Sequence, residues 1–217
     1  WRKRSGERRR HQRSKDHAIW AGFRKVLEAK GWSMLAIDLR GHGKSGSFCP
    51  QTHADFTKKN AERKDLKFDQ VDDYHTMYFD VTAACDFIRG QIPPFDSAQG
   101  RTPPYILTMV GSSIGANLAL AYAADHFDIK AAALLSPGLN YYGLRTDDVM
   151  VEYHRSLAFL TAKDDPSYAD VQKLIKLPGA QRPNVWYQEF ETGGHGVALL
   201  EAHPEYMEKI AEWMDKV

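Results

Sequence analysis

Residues 105–127 read YILTMVGSSIGANLALAYAADHF. A run rich in aliphatic and β-prone residues passes through Gly-Ser-Ser-Ile-Gly straight into an Ala- and Leu-rich run of helical length. Gly and Ser hold regular structure poorly, so these five residues mark a sharp corner between a buried strand and a helix. The strand is apolar without strict alternation. A strand of that kind is covered on both faces, which is the condition of a parallel sheet with helices on each side.

The rest of the chain repeats the alternation. AIWAGFRKVLEAKG places Ile19, Phe23, Val26 and Leu27 on one face of a helix, with Gly31 as its C-cap. WSMLAIDL, residues 32–39, is predicted as a strand and RGHGKSG as a glycine-rich turn. Residues 47–70 are polar and irregular. DDYHTMYFDVTAACDFIRGQ is helical, with Tyr78, Val81, Ala84, Cys85 and Ile88 along one side. After the breaker-rich PPFDSAQGRTPP come three more strands, IKAAALLSP, SLAFLTA and VWYQEFE. PSYADVQKLIKL and PEYMEKIAEWMDKV are helices. The expectation is an α/β fold, mostly a parallel sheet flanked by helices.

At 217 residues and 43% hydrophobic, the chain can bury one good core, assigned here to residues 18–217. Residues 1–17 form a basic arm; the first 15 hold eight Lys or Arg and one Glu, a balance of +7 within a net charge of +1. With no aromatic interleaving or recognition module, that arm reads as a solvated, disordered end, and no nucleic-acid partner is expected. No apolar run is long enough for a membrane span. No secretory signal is readable, and cytoplasm is the default location. Cys49 and Cys85 form no metal or redox motif. No Cys/His cluster suggests a metal, and no cofactor is expected.

Gly111-Ser112-Ser113-Ile114-Gly115 fits G-x-S-x-G. By composition alone such a match arises in roughly one chain in fifteen of this length. Its place between strand and helix raises its weight, because that is the setting of a nucleophile elbow. There Ser113 is strained and its hydroxyl is exposed at a helix N-terminus, where the dipole favours developing negative charge. A nucleophilic serine needs a base, and the base needs an orienting acid. Both are expected later in the chain, acid first. Asp164 and Asp165 lie just past SLAFLTA, and His195 lies just past VWYQEFE in Gly-Gly-His-Gly. Catalytic groups collect at such carboxyl ends of parallel strands. Asp165 is preferred as the acid because it directly precedes Pro166; Asp164 is left to cap or solvate the turn. His42, in Arg-Gly-His-Gly, precedes the serine and is read as structural.

These segments resemble the α/β-hydrolase superfamily, closest to serine esterases and dienelactone-hydrolase-like enzymes. The matching stretches are LAIDLRGHGKSG, VGSSIGANLAL, LLSPGLNY, LTAKDDP and GGHG, covering roughly residues 18–217. Asp38, Arg40, Gly41, Gly43 and Ser45 match the family's D-x-R-G-x-G-x-S turn, and the Asp165 spacing resembles its G-x-x-D with Ala162 in the Gly position. The resemblance implies a Ser113–Asp165–His195 triad that cleaves small carboxylic esters through an acyl-enzyme, with the Ile114 N–H as an oxyanion donor. Tyr141, Tyr142 and Leu144 either line an acyl pocket, beside Ser112, or pack after the strand. The family's opening strands and its His-Gly oxyanion loop are not visible before the first helix. The implied reading is therefore of an altered or truncated beginning. Its alternatives are an impaired hydrolase-fold binding module, or an acyl peptidase or lactonase with the same triad.

Overall fold

The computed structural model describes residues 17–40, 42, 45, 76–91 and 106–217. The glycines at 41 and 43 of the turn, Cys49, the insertion at 47–70 and the basic arm up to residue 16 lie outside them. The elements are α1 (Ala21–Ala29), α2 (Met77–Gln91), β1 (Leu107–Ser112), α3 (Ile114–Asp125), β2 (Ile129–Leu135), β3 (Asn140–Tyr141), β4 (Leu144–Arg145), α4 (Asp147–Glu152), β5 (Ser156–Ala162), α5 (Tyr168–Leu174), β6 (Val185–Phe190), α6 (Ala198–Ala202) and α7 (Glu205–Met214).

β1, β2, β5 and β6 pair in that order, all parallel, and β3 and β4 form a separate antiparallel hairpin. The sheet sorts its side chains by the two-residue period of a strand. Ala132, Leu134, Leu157 and Phe159 enter one core with α3 and with Met77, Val81 and Cys85 of α2. Ala133, Leu135, Ala158 and Leu160 enter the other with Phe23 and Leu27 of α1 and Ile210, Ala211 and Met214 of α7. β2 and β5 are apolar without a break because both their faces are covered. This is a three-layer α/β architecture, with helices on each side of a parallel sheet.

α1 ends as expected. Gly31 takes φ 81° just past the helix, its N–H donates to the Glu28 carbonyl at 3.1 Å, and the Trp32 N–H reaches back to Leu27 at 2.9 Å. Residues 32–39 depart from expectation: they form no strand. A cavity of about 340 Å³ separates them from β1, with Met34, Ile37 and Leu39 among its lining on one side and Leu107, Met109 and Gly111 on the other. Backbone groups held apart by such a space cannot exchange ladder hydrogen bonds, however apolar the side chains. Below this segment Arg40 clamps Asp80 of α2 through its backbone N–H at 2.8 Å and its guanidinium at 2.7–3.1 Å. Ser45 Oγ donates to the Asp38 carbonyl at 2.8 Å. Among the described residues no helix is long and apolar enough to cross a membrane.

Candidate active site

Ser113 stands between β1 and α3 with φ 56° and ψ −125°. This conformation is costly for a residue with a Cβ, and it persists because the surroundings dictate it. The Ser113 N–H donates to the Leu135 carbonyl at 2.8 Å, tying the corner to the end of β2. Its carbonyl accepts the Ala116 N–H at 2.9 Å and starts α3. Gly111 is required by contact: a Cβ there would lie 2.1 Å from the Gly115 carbonyl oxygen and 2.7 Å from Ala116 Cα. Gly115 is different, since a Cβ there would meet nothing within 4 Å. Only the first flanking glycine is what lets strand and helix approach.

Asp165 and His195 meet 30 residues apart in sequence, with His195 Nδ1 2.7 Å from Asp165 Oδ1. A carboxylate can only accept, so Nδ1 carries the proton and Nε2 is left with its lone pair. The Asp165 side chain is wholly buried and that of His195 is 12% exposed. Ser167 adds its backbone N–H at 2.7 Å and its hydroxyl at 2.8 Å to the same oxygen. Ser136 Oγ donates to Oδ2. Burial pushes the Asp165 pKa up, but the hydrogen bonds from His195, Ser136 and Ser167 outweigh it, and the carboxyl ends below its ordinary value. Asp164 turns the other way: its carboxylate accepts the N–H groups of Gly194 at 3.0 Å and Gly193 at 3.4 Å.

Ser113 and His195 line the same cavity, together with Ser112, Ile114, Tyr142 and His42. The Ile114 N–H belongs to the first turn of α3, whose N–H groups have no intrahelical acceptor. His42 Nδ1 lies 3.2 Å from the Arg40 carbonyl. Tyr141 is not among the cavity-lining residues; its phenol donates to the Ser136 carbonyl at 3.3 Å, and burial raises its pKa, with Ser167 and Ser113 partly offsetting the rise. Its ring lies flat on Gly138, where a Cβ would come within 2.8 Å of it. Leu144, for which the sequence left an acyl pocket or packing after the strand open, is buried in the core with α3.

Two residues outside the sequence reading shape the site. Asn117 of α3 is buried and binds the Gly138 N–H at 3.1 Å, the Gly138 carbonyl at 3.0 Å and the Leu144 carbonyl at 2.7 Å. The helix that begins at Ser113 thereby holds the hairpin that carries Tyr141 and Tyr142. Ser136 is the second. Its signal in the sequence was its place, directly after an apolar strand, as with the other groups at this edge. Among the described residues no cluster of three His, Cys, Asp or Glu side chains could hold a metal ion.

Solved structures share this arrangement of elements. The Pyrococcus furiosus esterase Pf2001 superposes with a TM-score of 0.64 at 17% identity, over 90% of this chain and 75% of that one. The esterase domain of a Rhodothermus marinus protein gives 0.59 at 16%, over 92% and 80%. An esterase from Exiguobacterium antarcticum gives 0.62 at 13%, over 92% and 88%. No curated protein sequence matches the chain. At these identities the likeness speaks for the α/β-hydrolase fold; the family follows from the chain itself, because the model described as serine aminopeptidase, S33, matches residues 16–164, a span that includes the strained serine corner, and the chain belongs to that family of α/β-hydrolases.

Proposed function

We propose that this chain is a serine hydrolase that cleaves carboxylic esters of small or medium acyl groups. The observation that carries the reading is Ser113 at a strained strand–helix corner, sharing its cavity with a histidine whose other face is held by a buried carboxylate. In this reading His195 Nε2 takes the Ser113 proton as Oγ attacks the carbonyl carbon. The carbonyl π electrons move to oxygen, and the Ile114 N–H stabilises the oxyanion at the positive end of α3. Collapse expels the alcohol, which takes the proton from His195, and leaves an acyl-Ser113. Water then gives its proton to His195 and attacks the acyl carbon, releasing the acid and returning the proton to Ser113. Asp165 keeps Nδ1 protonated and stabilises the imidazolium.

A fluorophosphonate probe tests the reading. It is expected to label the wild-type chain at Ser113 and to leave Ser113→Ala unlabelled, and p-nitrophenyl acetate should give a burst of nitrophenol. A folded wild-type chain with neither label nor burst would be an impaired hydrolase fold instead. The family description as a serine aminopeptidase favours a second reading, peptide cleavage by the same residues. Comparing p-nitrophenyl esters with aminoacyl p-nitroanilides separates the two. Turnover of the anilides at a rate matching the esters selects the peptidase.

A further inference from the structure

β2 ends at Leu135, and the next residue, Ser136, is completely buried with φ 55°. Its N–H donates to the Leu160 carbonyl at 3.0 Å, which locks the strained residue between β2 and β5. Its hydroxyl donates to Asp165 Oδ2 and accepts the Gly196 N–H at 2.7 Å. These directions are forced, because the hydroxyl has one proton and the carboxylate has none to give. The Ser136 carbonyl accepts the Tyr141 phenol at 3.3 Å.

We infer that Ser136 is a positioning residue of the hydrolytic site, whose hydroxyl fastens the acid to the loop that carries the base. The inference rests on the serine-hydrolase reading of Ser113, Asp165 and His195. Three observations carry it. The first is the division of labour on the carboxylate: His195 and Ser167 crowd Oδ1, while Ser136 is the donor on Oδ2. With both oxygens engaged, the carboxylate cannot turn about its Cβ–Cγ bond without breaking a buried hydrogen bond.

The second is the loop. Gly193, Gly194 and Gly196 all have positive φ, so the chain around His195 has little stiffness of its own. It is pinned from outside. Asp164 holds Gly193 and Gly194 before the histidine, and Ser136 holds Gly196 after it. Gly196 also sits so close to Ser112 that a Cβ would fall 2.3 Å from the Ser112 oxygen. His195 is thus bracketed between two tethers, one of which is also bonded to its acid. The third is the backbone. A glycine at position 136 would adopt φ 55° at far lower cost, so a serine there keeps a strained conformation in exchange for its hydroxyl.

The experiment compares wild type with Ser136→Ala and Ser136→Gly. Both lose the hydroxyl; only the glycine variant also loses the strain. Each is measured for fluorophosphonate labelling, for kcat and KM on p-nitrophenyl acetate, and for solvent exchange of the downfield His195 Nδ1 proton by NMR. Expected are a labelling rate and kcat roughly 10- to 100-fold below wild type in both, the range for a misplaced catalytic group. KM should be nearly unchanged, the Nδ1 proton should exchange faster, and the glycine variant should melt above the alanine variant. Wild-type labelling by either variant overturns the inference, as does full recovery in Ser136→Gly, which would leave only a backbone role. Should both fail to fold, Ser136→Cys keeps the size and a weak donor; a folded Cys variant with wild-type labelling and proton exchange also overturns it. An unlabelled wild-type chain sinks the hydrolase reading and with it the catalytic role, while the proton exchange still reports whether Ser136 tethers the loop.

Discussion

Replacing Gly111 by alanine would place a Cβ 2.1 Å from the carbonyl oxygen of Gly115, 2.5 Å from its carbonyl carbon and 2.7 Å from Ala116 Cα. All three atoms are backbone of the first turn of α3, so no side chain can swing aside. Ordinary contact begins near 3.4 Å, and relief therefore requires the helix start to move by more than 1 Å, from a position fixed by the Ser113 N–H on Leu135. Overpacking that side chains can absorb costs about 1–3 kcal/mol. A clash with immovable backbone belongs at or above the top of that range, so Gly111→Ala should lose at least about 3 kcal/mol. Where any chain folds, Ser113 should no longer react with a fluorophosphonate, because the elbow must open. Gly115→Ala, in the same motif, is the internal control. Its new Cβ meets nothing within 4 Å, and alanine is favoured over glycine in a helix by about 0.5–1 kcal/mol. That variant should be as stable as wild type or more so, with labelling retained. Urea melts with labelling of the refolded protein decide the matter. A Gly111→Ala chain within about 1 kcal/mol of wild type and still reactive would show that the corner is not held by backbone contact.

The two neighbouring aspartates should separate in the same assay. Asp165→Asn is expected to lower kcat roughly 10³- to 10⁴-fold, because the amide no longer enforces the Nδ1 tautomer; Asp164→Asn keeps an acceptor for the Gly194 N–H and should lose less than about tenfold. Equal losses would mean that the acid is shared or misassigned. The folded-state pKa of Asp165 lies below its ordinary value, so its stabilising contribution is complete above the unfolded carboxylate pKa of about 3.9 and drains away as pH falls through the lower folded value. Acid melts should therefore flatten below about pH 4 in Asp165→Asn relative to wild type, and parallel curves would contradict that sign. Asn117→Ala strands the Gly138 N–H and the Leu144 carbonyl in the interior. At about 1–3 kcal/mol for each of these two unsatisfied buried groups, a loss of about 2–6 kcal/mol is expected in chemical denaturation. A variant as stable as wild type would mean that the hairpin is held by other contacts.

What could be read from the chain was whatever lies in local pattern. β2 and β5 announce themselves as unbroken apolar runs because both their faces are covered, and α3 follows β1 through a corner whose small residues have a steric cause at Gly111. Asp165 and His195 were legible by position, since each follows its strand at the carboxyl end of the sheet. Residues 32–39 have the apolar character of a strand, yet a strand is defined by its neighbour, and their lateral space toward β1 is a cavity. No local pattern contains that information. Asn117 looked like any polar residue on a helix, because its partners are backbone groups 21 and 27 residues away. Tyr141 and Leu144 face one another in the hairpin register but serve different ends: the leucine stops in the core, and the longer tyrosine reaches the Ser136 carbonyl.

Strain supplies a further argument, independent of motif. Among the described residues, Ser113, Ser136 and Tyr142 are the non-glycine residues with positive φ, at 56°, 55° and 54°. They belong to three different turns, yet they converge on one place. Ser113 and Tyr142 line the cavity with His195, and Ser136 grips Asp165. A left-handed backbone is tolerated at a side-chain-bearing residue only where the surrounding structure over-determines it. In each of these turns glycine would be the easier residue. Two of the three are serines, one sharing the cavity with His195 and one bonded to Asp165. Chance distribution of turn strain would scatter such positions over the connecting loops, including those at the opposite end of the sheet. They concentrate instead at the carboxyl ends of β1 and β2 and in the hairpin that follows, the arrangement that the proposed hydrolytic site, with its preorganised groups, would require.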